Sequence, residues 1–231
     1  MDIFKEWKCA RENNEDDHFY KQMFIKKAPE IEYVFLRGNT EEIENARQLI
    51  NDVSAEELIE TILENNDSTE LSYSDIPCFS NFYKGTFRTN EILEFKPEGI
   101  SIKELGYQLI GAQKDGANIK YGENHSKLAQ IAFIGELSHG YLKQTTWGCF
   151  LNRCLEEEKF SLTKKVLLTD PCFQAMIKTT CKDDVKYSDV VCFLSKSTAY
   201  RRRTNVRFLV KLVLQETKYE WMFDKINWEV E

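Results

Sequence analysis

The segment from Ser195 to Lys211 constrains the fold most, because its residues separate into two distinct faces only if the backbone is helical. Its sequence, SKSTAYRRRTNVRFLVK, contains six basic residues and no acidic one. Its apolar residues recur at intervals of three and four positions, which gathers them on one side of a helix. They are Val206, Leu209, Val210 and Val213. The pattern predicts a helix that begins near Thr198 or Ala199 and packs this apolar side on a core.

The opposite side of the predicted helix is basic and rich in hydrogen-bond donors. Steps of four, three and four positions align Tyr200, Thr204, Arg207 and Lys211. A helix with one apolar side and one basic side suits the major groove of DNA, where an arginine such as Arg207 can pair with guanine. The apolar run from Tyr187 to Leu194 is interpreted as a short preceding helix. With the turn SKST it predicts a helix-turn-helix.

Two other interpretations of the basic segment remain open. Three consecutive arginines spread around most of a helix, so some of them would be solvated or would pair with nearby acids such as Asp183 and Asp184. Binding to a membrane surface is less favoured, because the helix leaves no wide apolar side free for lipid. The polyanion that suits this segment best is duplex DNA.

Charge is divided unevenly along the 231 residues, whose net charge is −7. Residues 1–100 contain 11 basic and 22 acidic side chains, whereas residues 101–231 contain 20 and 16. An acidic surface repels phosphate, so nucleic acid is expected to bind through the second part. The acidic part is instead a candidate surface for a basic protein partner or for a homodimer.

The chain carries no signal for a membrane, a disulfide framework or a common catalytic motif. It contains no apolar run of about 18 residues, and its first residues, MDIFKEWKC, lack the apolar region of a signal peptide, so a cytoplasmic location without membrane contact is expected. The seven cysteines lack C-x-x-C spacing, which predicts reduced thiols that fill the core, with no metal site and no cofactor. Neither G-x-S-x-G nor GxxxxGK[ST] occurs.

The first hundred residues read as helical with one short strand. IEYVFLRG, from Ile31 to Gly38, is a strand candidate. Residues 40–66 carry helical spacing throughout, and Ser54 with Glu57 forms a capping-box pattern that divides them into two helices. The two apolar stripes consist of Ile43, Ala46 and Ile50, and of Leu58, Ile59 and Ile62.

A second helix-turn-helix can be read from Ile100 onward. Ser101, with Glu104 three residues later, predicts the start of one helix. GANIKYG is interpreted as a turn, with Tyr121 and Gly122 in it, and the next helix is predicted to begin at Glu123 or Asn124. Its outward residues would include Lys120 just before it and Ser126, Lys127 and Gln130 within it. LSHGYLKQTTWG then predicts a glycine-containing hairpin, with His139 at its tip.

Four stretches of the second half resemble the paired winged-helix segments of some bacterial restriction-type and related uncharacterised DNA-binding proteins. They are KYGENHSKLAQ, TTWGCFL, LTDPCFQAMI and LSKSTAYRRRTNVRFL, which together cover roughly residues 100–215. The resemblance implies one winged-helix unit near 100–150 and a second near 175–231, joined by a helix from Trp147 to Phe160. It also implies that KYEWMFDKINWEVE, at the end of the chain, is the second wing.

The predicted fold class is mainly α (α+β), with an acidic α-rich domain at 1–98, a first winged-helix unit at 99–160 and a second at 161–231. The predicted function is sequence-specific binding of duplex DNA, as a regulator or as a component of a restriction or defence system, with the basic helix at 198–214 in the major groove. The candidate DNA-binding residues are Lys196, Ser197, Thr198, Tyr200, Arg201, Arg202, Arg203, Thr204, Arg207, Lys211, Lys120, Ser126, Lys127 and Gln130.

A metal-dependent, restriction-like endonuclease is the alternative. Asp75, Glu94 and Lys96 offer the two acids and the lysine that such enzymes place around Mg²⁺, provided that EILEFKP forms a strand. The same Glu-x-Lys triplet occurs three more times in the chain, so chance explains it. A third interpretation is a protein-interaction adaptor, because winged helices also serve as surfaces for pairing with other proteins.

Overall fold

The protein is described from a computed structural model over residues 2–65, 71–72, 82–182 and 184–229. It is mainly α-helical, at 69% helix, with a small three-stranded antiparallel sheet, as the sequence predicts. The described helices are α1 Ile3–Glu12, α2 His18–Ile25, α3 Pro29–Arg37, α4 Thr40–Asp52, α5 Ala55–Glu64, α6 Phe82–Glu94, α7 Ile102–Ile110, α8 Asp115–Ile131, α9 Thr146–Leu151, α10 Glu156–Leu167, α11 Pro171–Thr180, α12 Tyr187–Val190, α13 Lys196–Leu214 and α14 Glu220–Lys225. The strands are β1 Ile100–Ser101, β2 Gly135–Ser138 and β3 Tyr141–Gln144.

Two capping boxes fix the starts of α4 and α5. At α4, the Asn39 side chain accepts from the Glu42 amide at 3.1 Å, and Glu42 accepts from the Asn39 amide at 2.8 Å. Ser54 and Glu57 repeat the arrangement at α5. These contacts satisfy backbone N–H groups that have no partner inside the helix, so local sequence alone sets both boundaries. The two predicted apolar stripes of this region are buried.

The strand predicted from Ile31 to Gly38 is wrong, because this segment forms α3. Pro29 occupies the first turn, where its fixed φ favours a helix and its missing N–H costs nothing. Ile31, Val34 and Phe35 then share one buried side of the helix. The same β-branched and aromatic residues suit either structure, and the spacing of three and four positions decides for the helix.

The sheet has the strand order β1-β3-β2, with both neighbouring pairs antiparallel. Leu142 of β3 is buried and stands opposite Ile100 on one side and Leu137 on the other. The link between β2 and β3 contains His139 at φ 51° and Gly140 at φ 80°, the positive values that a two-residue hairpin turn requires. The predicted hairpin and the position of His139 at its tip are confirmed.

Helix α8 begins at Asp115, so the predicted turn through GANIKYG and the helix start at Glu123 or Asn124 are wrong. This segment is helical because it packs closely on α7 through two glycines. A Cβ atom at Gly106 would lie 1.8 Å from the Asn118 carbonyl oxygen, and one at Gly122 would lie 1.9 Å from that of Ile102. Gly122 therefore serves helix contact rather than a turn, whereas a Cβ atom at Gly116, the other glycine of the pattern, would have nothing within 4 Å.

The region after β3 departs from the predicted second winged helix. The single connecting helix expected from Trp147 to Phe160 is two helices, α9 and α10, separated by the turn before Glu156. Where the second wing was predicted, residues 220–225 form α14, and the described residues there form no strand. Phe223 and Ile226 are the buried residues of this stretch, so its alternating aromatic pattern reflects a short helix and its exit.

Apolar and polar contacts cross both predicted domain boundaries. The ring of Phe35 in α3 lies 4.8 Å from that of Phe133 and 4.9 Å from that of Trp147. The Lys165 ammonium in α10 donates to the carbonyl oxygens of Ile50 at 2.6 Å and Asn51 at 3.0 Å, at the end of α4. The boundaries at 98 and 160 stay a prediction.

Most of the described cysteines are not buried. Six cysteines are described, all as free thiols, but only Cys172 is buried. Cys9, Cys149 and Cys192 are exposed, so the prediction that the cysteines fill the core is wrong for them, and Cys78 lies outside the described residues.

None of the helices in the described ranges combines the length and hydropathy needed to cross a bilayer.

Candidate nucleic-acid interface

Helix α13 is anchored by the apolar side that the sequence predicts. Val206, Leu209, Val210 and Val213 are all buried, as are Ala199, Leu212 and Leu214. The helix begins at Lys196 with Ser195 as its N-cap, two residues earlier than predicted. Burial of this side fixes how the helix is rotated, and therefore which of its residues meet solvent.

The side turned to solvent is the predicted basic one. Tyr200 is 66% exposed, and Thr204, Arg207 and Lys211 are exposed as well. Arg201 is also exposed, whereas Arg202 and Arg203 are half-buried toward the flanks of the helix. Lys196, Ser197 and Thr198 form its first turn, with Lys196 and Ser197 exposed.

The arginines of α13 lack carboxylate partners among the described residues. No described Asp or Glu lies within the 4.0 Å salt-bridge distance of Arg201, Arg202, Arg203 or Arg207. Asp184 is exposed and makes no described ion pair with them, and Asp183 lies outside the described residues. The arginine charge is therefore not neutralised by the described part of the fold, which weakens the interpretation as a locally paired surface.

Aromatic rings and the helix backbone hold several of these guanidinium groups. Arg207 lies over Phe223 of α14 and over Trp228, at 5.6 Å and 5.7 Å from their ring centroids. Arg203 lies 5.9 Å from the ring of Tyr200. A guanidinium over a ring face is attracted by the π electrons and keeps its in-plane N–H donors for another partner. These contacts restrict the side chains without neutralising their charge.

A buried tyrosine fixes the first turns of α13. The Tyr187 hydroxyl donates to the Ala199 carbonyl oxygen at 2.7 Å, and burial raises the pKa of Tyr187 to about 12. Tyr187 begins α12, which has four residues and ends at Val190. The short helix predicted before the turn is therefore present but is only about one turn long.

The candidate residues of α8 divide into exposed and buried ones. Lys120, Lys127 and Gln130 are exposed, with Glu123 between the two lysines. Ser126 is 3% exposed and its hydroxyl donates to the Glu123 carbonyl oxygen at 2.9 Å, so the prediction that Ser126 faces outward is wrong. The start of α8 is held to the preceding loop by Asn118. Its side-chain oxygen accepts from the Ala112 backbone N–H, and its side-chain NH2 group donates to the Ala112 carbonyl oxygen.

Two of the three candidate endonuclease residues, Glu94 and Lys96, lie in the described part of the chain. Glu94 is the last residue of α6, not a strand residue, and it accepts from the Asn152 amide at 3.0 Å. Lys96 follows in the turn, and Asp75 lies outside the described residues. Over the described ranges, no group of three or more His, Cys, Asp or Glu side chains is arranged to hold a metal ion.

Sequence reasoning missed an aromatic cleft of about 910 Å³ where α6, α8, α10 and α13 meet. Its aromatic lining consists of Tyr83, Phe87, Tyr121, His125, Phe160 and Phe208. The Phe160 ring lies edge-on to Tyr83 at 4.3 Å, and the Tyr83 and Phe87 rings stack at 5.8 Å. The i,i+4 spacing of Tyr83 and Phe87 was the only local signal, and it predicts packing rather than a cleft.

His125 lies within α8, where it lines this cleft and is buried. Its Nδ1 atom lies 3.0 Å from the Thr89 hydroxyl oxygen and 3.3 Å from the Gly85 carbonyl oxygen. Burial lowers the pKa of His125 to about 4. The ring is therefore neutral at neutral pH and does not add positive charge to the cleft.

Neither a protein-family model, nor a curated protein, nor a solved structure matches this chain.

Proposed function

We propose that this protein binds duplex DNA, with the basic side of α13 in the major groove. The observation that carries the proposal is the set of arginines in α13 that have no described carboxylate partner, on a helix whose other side is buried. Although the net charge of the protein is −7, six basic residues are concentrated between Ser195 and Lys211. An arginine without a carboxylate partner can bind a phosphate or a base edge. The Tyr200, Thr204 and Arg207 side chains are the candidates for contacts with base edges.

The order of elements from α6 to β3 supports a nucleic-acid-binding role. Helix α6, strand β1, helices α7 and α8, and the hairpin of β2 and β3 follow one another, with β1 paired to β3. This order supports the interpretation as a winged helix, in which the third helix and the hairpin would contact DNA. Lys120, Lys127 and Gln130 on α8 would then add contacts beside those of α13. If these elements form such a unit, it would begin at α6, before the boundary at 98 expected from the sequence.

Sequence recognition is the proposed role, as a regulator or as part of a restriction or defence system. Arg207 supports it because its guanidinium is already restricted by Phe223 and Trp228 before DNA binds. A restricted donor group loses less conformational freedom on binding and discriminates better between bases. Replacing Arg207 with Lys keeps the charge but removes the two-pronged donor, so the preference for the target sequence is expected to relax while overall affinity changes little.

The test is a titration of the purified chain with labelled duplexes of random sequence, at several salt concentrations and with and without Mg²⁺. Binding that weakens steeply with salt is expected, with no cleavage, because the slope of log K against log salt is about 0.9 for each phosphate neutralised. Cleavage with Mg²⁺ would support the endonuclease instead. Failure to bind at low salt, together with retention of a protein partner, would support the adaptor.

A further inference from the structure

We infer that the aromatic cleft holds one unpaired base of the DNA that lies on α13, an inference that rests on the proposed function. A base that leaves the helical stack needs a ring face to stack on and a nearby cation for its phosphate. The cleft provides the aromatic rings, and a neighbouring row of residues on α13 provides the cations.

Rings that line the cleft are partly exposed, and Tyr121 also contacts the His125 ring at 4.7 Å. Phe160 and Tyr121 line the cleft from α10 and α8, and each is 37% exposed. Phe208 enters from α13 and is half-buried. With a volume of about 910 Å³, the cleft is within the size range of sites that enclose small molecules, so a nucleotide fits.

The cleft lies beside the basic side of α13. Arg201, Thr204, Phe208 and Lys211 succeed one another at steps of three, four and three, so they form one row along the helix. Phe208 reaches the cleft, and exposed cations stand in the same row, Arg201 two turns before it and Lys211 one turn after it. A DNA backbone that follows this row passes the mouth of the cleft.

The acidic side chains at the rim are paired, so they do not oppose a ligand that carries phosphate. The acidic residues among the lining are Glu91 and Glu156, and each is paired, with Arg88 at 2.9 Å and with Lys159 at 2.9 Å. Lys84 also lines the cleft. Stacking accepts any base, so little preference among the four bases is expected.

The experiment compares two duplexes of the same sequence, one fully paired and one with a single unpaired thymine. The wild-type chain is expected to bind the second about tenfold more tightly, which is at the low end of what stacking of one base contributes. Phe160→Ala and Tyr121→Ala should each remove this difference and leave affinity for the paired duplex unchanged. The matched control is Phe19→Ala, because Phe19 is 65% exposed on α2 and lies outside the cleft.

The outcomes separate this inference from the proposed function. If wild type binds both duplexes equally, or if Phe160→Ala and Tyr121→Ala retain the tenfold difference while folded, the cleft does not hold a base. If neither duplex binds, the proposed function is wrong, and a titration with labelled oligothymidylate decides on the cleft. Saturable binding that Phe160→Ala weakens would support the inference, and no binding would overturn it.

Discussion

The arginines of the first half and those of α13 differ in what surrounds them. Arg11, Arg37, Arg47 and Arg88 each form an ion pair with a described carboxylate, at distances of 2.6 to 2.9 Å. The arginines of α13 have no such partner among the described residues and lie against rings or backbone oxygens instead. The described fold therefore pairs the charge of the first set with carboxylates and leaves that of the second without a described carboxylate partner.

The half-buried cluster around Arg11 is the clearest case of internal pairing. Its guanidinium bonds Asp17 at 2.7 Å and Glu57 at 2.9 Å, and so joins α1, the start of α2 and α5. The Trp7 indole donates to the same Asp17 carboxylate at 2.9 Å, and Lys21 adds an ion pair at 2.9 Å. Loss of one member leaves the others as uncompensated charges, which costs more than the pair gains.

The largest effect on stability is therefore expected from Arg11→Met, compared with the matched change Arg201→Met in α13. Arg11→Met should lower the free energy of unfolding by about 3 kcal/mol, because it removes the cation that Asp17 and Glu57 share and leaves Glu57 without its ion pair. Arg201→Met should change it by less than about 0.5 kcal/mol. Urea unfolding followed by circular dichroism measures both. Equal losses in the two variants would break the distinction between the two sets of arginines.

Acid should weaken the first region through Asp17. Burial by itself raises the pKa of Asp17, but hydrogen bonds from Lys21, Trp7 and Arg11 outweigh it and lower the pKa from 3.8 to about 2. The folded chain then binds this proton less readily than the unfolded chain, so the stabilisation is complete above pH 3.8 and is lost as pH falls toward 2. The loss should be about 2 kcal/mol in unfolding free energy.

Unfolding curves across this pH range for wild type and Asp17→Asn provide the check. The variant should lack this part of the pH dependence, because it has no group that titrates there. A variant of α13 such as Arg201→Met should keep the wild-type profile. The explanation is wrong if Asp17→Asn follows the wild-type curve.

A smaller effect is expected where α13 is anchored. Tyr187→Phe removes the hydroxyl that donates to the Ala199 carbonyl oxygen at 2.7 Å and should cost about 1 kcal/mol. Such a loss would show that buried contacts, and not the charged side, stabilise α13. Thermal unfolding of Tyr187→Phe beside Arg201→Met measures it, and a larger loss in the arginine variant would be the contrary result.

Local signals predicted the parts of the fold that local chemistry decides. The apolar side of α13, the capping box at Ser54 and the hairpin turn at His139 and Gly140 each depend on neighbours within a few positions. Hydrogen-bond and dihedral requirements that act within one turn determine such features, so a short stretch of sequence is enough to predict them. Of these features, the buried apolar side of α13 is the one that places its basic side in solvent.

Distant contacts decided what sequence reasoning missed. Gly122 reads as a turn residue, but its place in α8 follows from contact with the Ile102 backbone of another helix. Ser126 is buried for a similar reason, because the elements packed against α8 decide which of its sides meets solvent. The aromatic cleft brings Tyr83 together with Phe160 and Phe208 from helices far apart in the chain, so no window of the sequence contains it.

The central claim is that the unpaired arginines of α13, and not positive charge in general, bind DNA. Two triple variants that remove the same charge test it most directly: one with Arg201, Arg202 and Arg203 changed to Gln, the other with the paired Lys5, Arg37 and Lys103 changed to Gln. Affinity for a random-sequence duplex is measured at two salt concentrations. The α13 variant should lose most of its affinity and show a flatter salt dependence, while the other binds nearly as wild type. Equal losses in both variants, or unchanged affinity in the α13 variant, would contradict the claim.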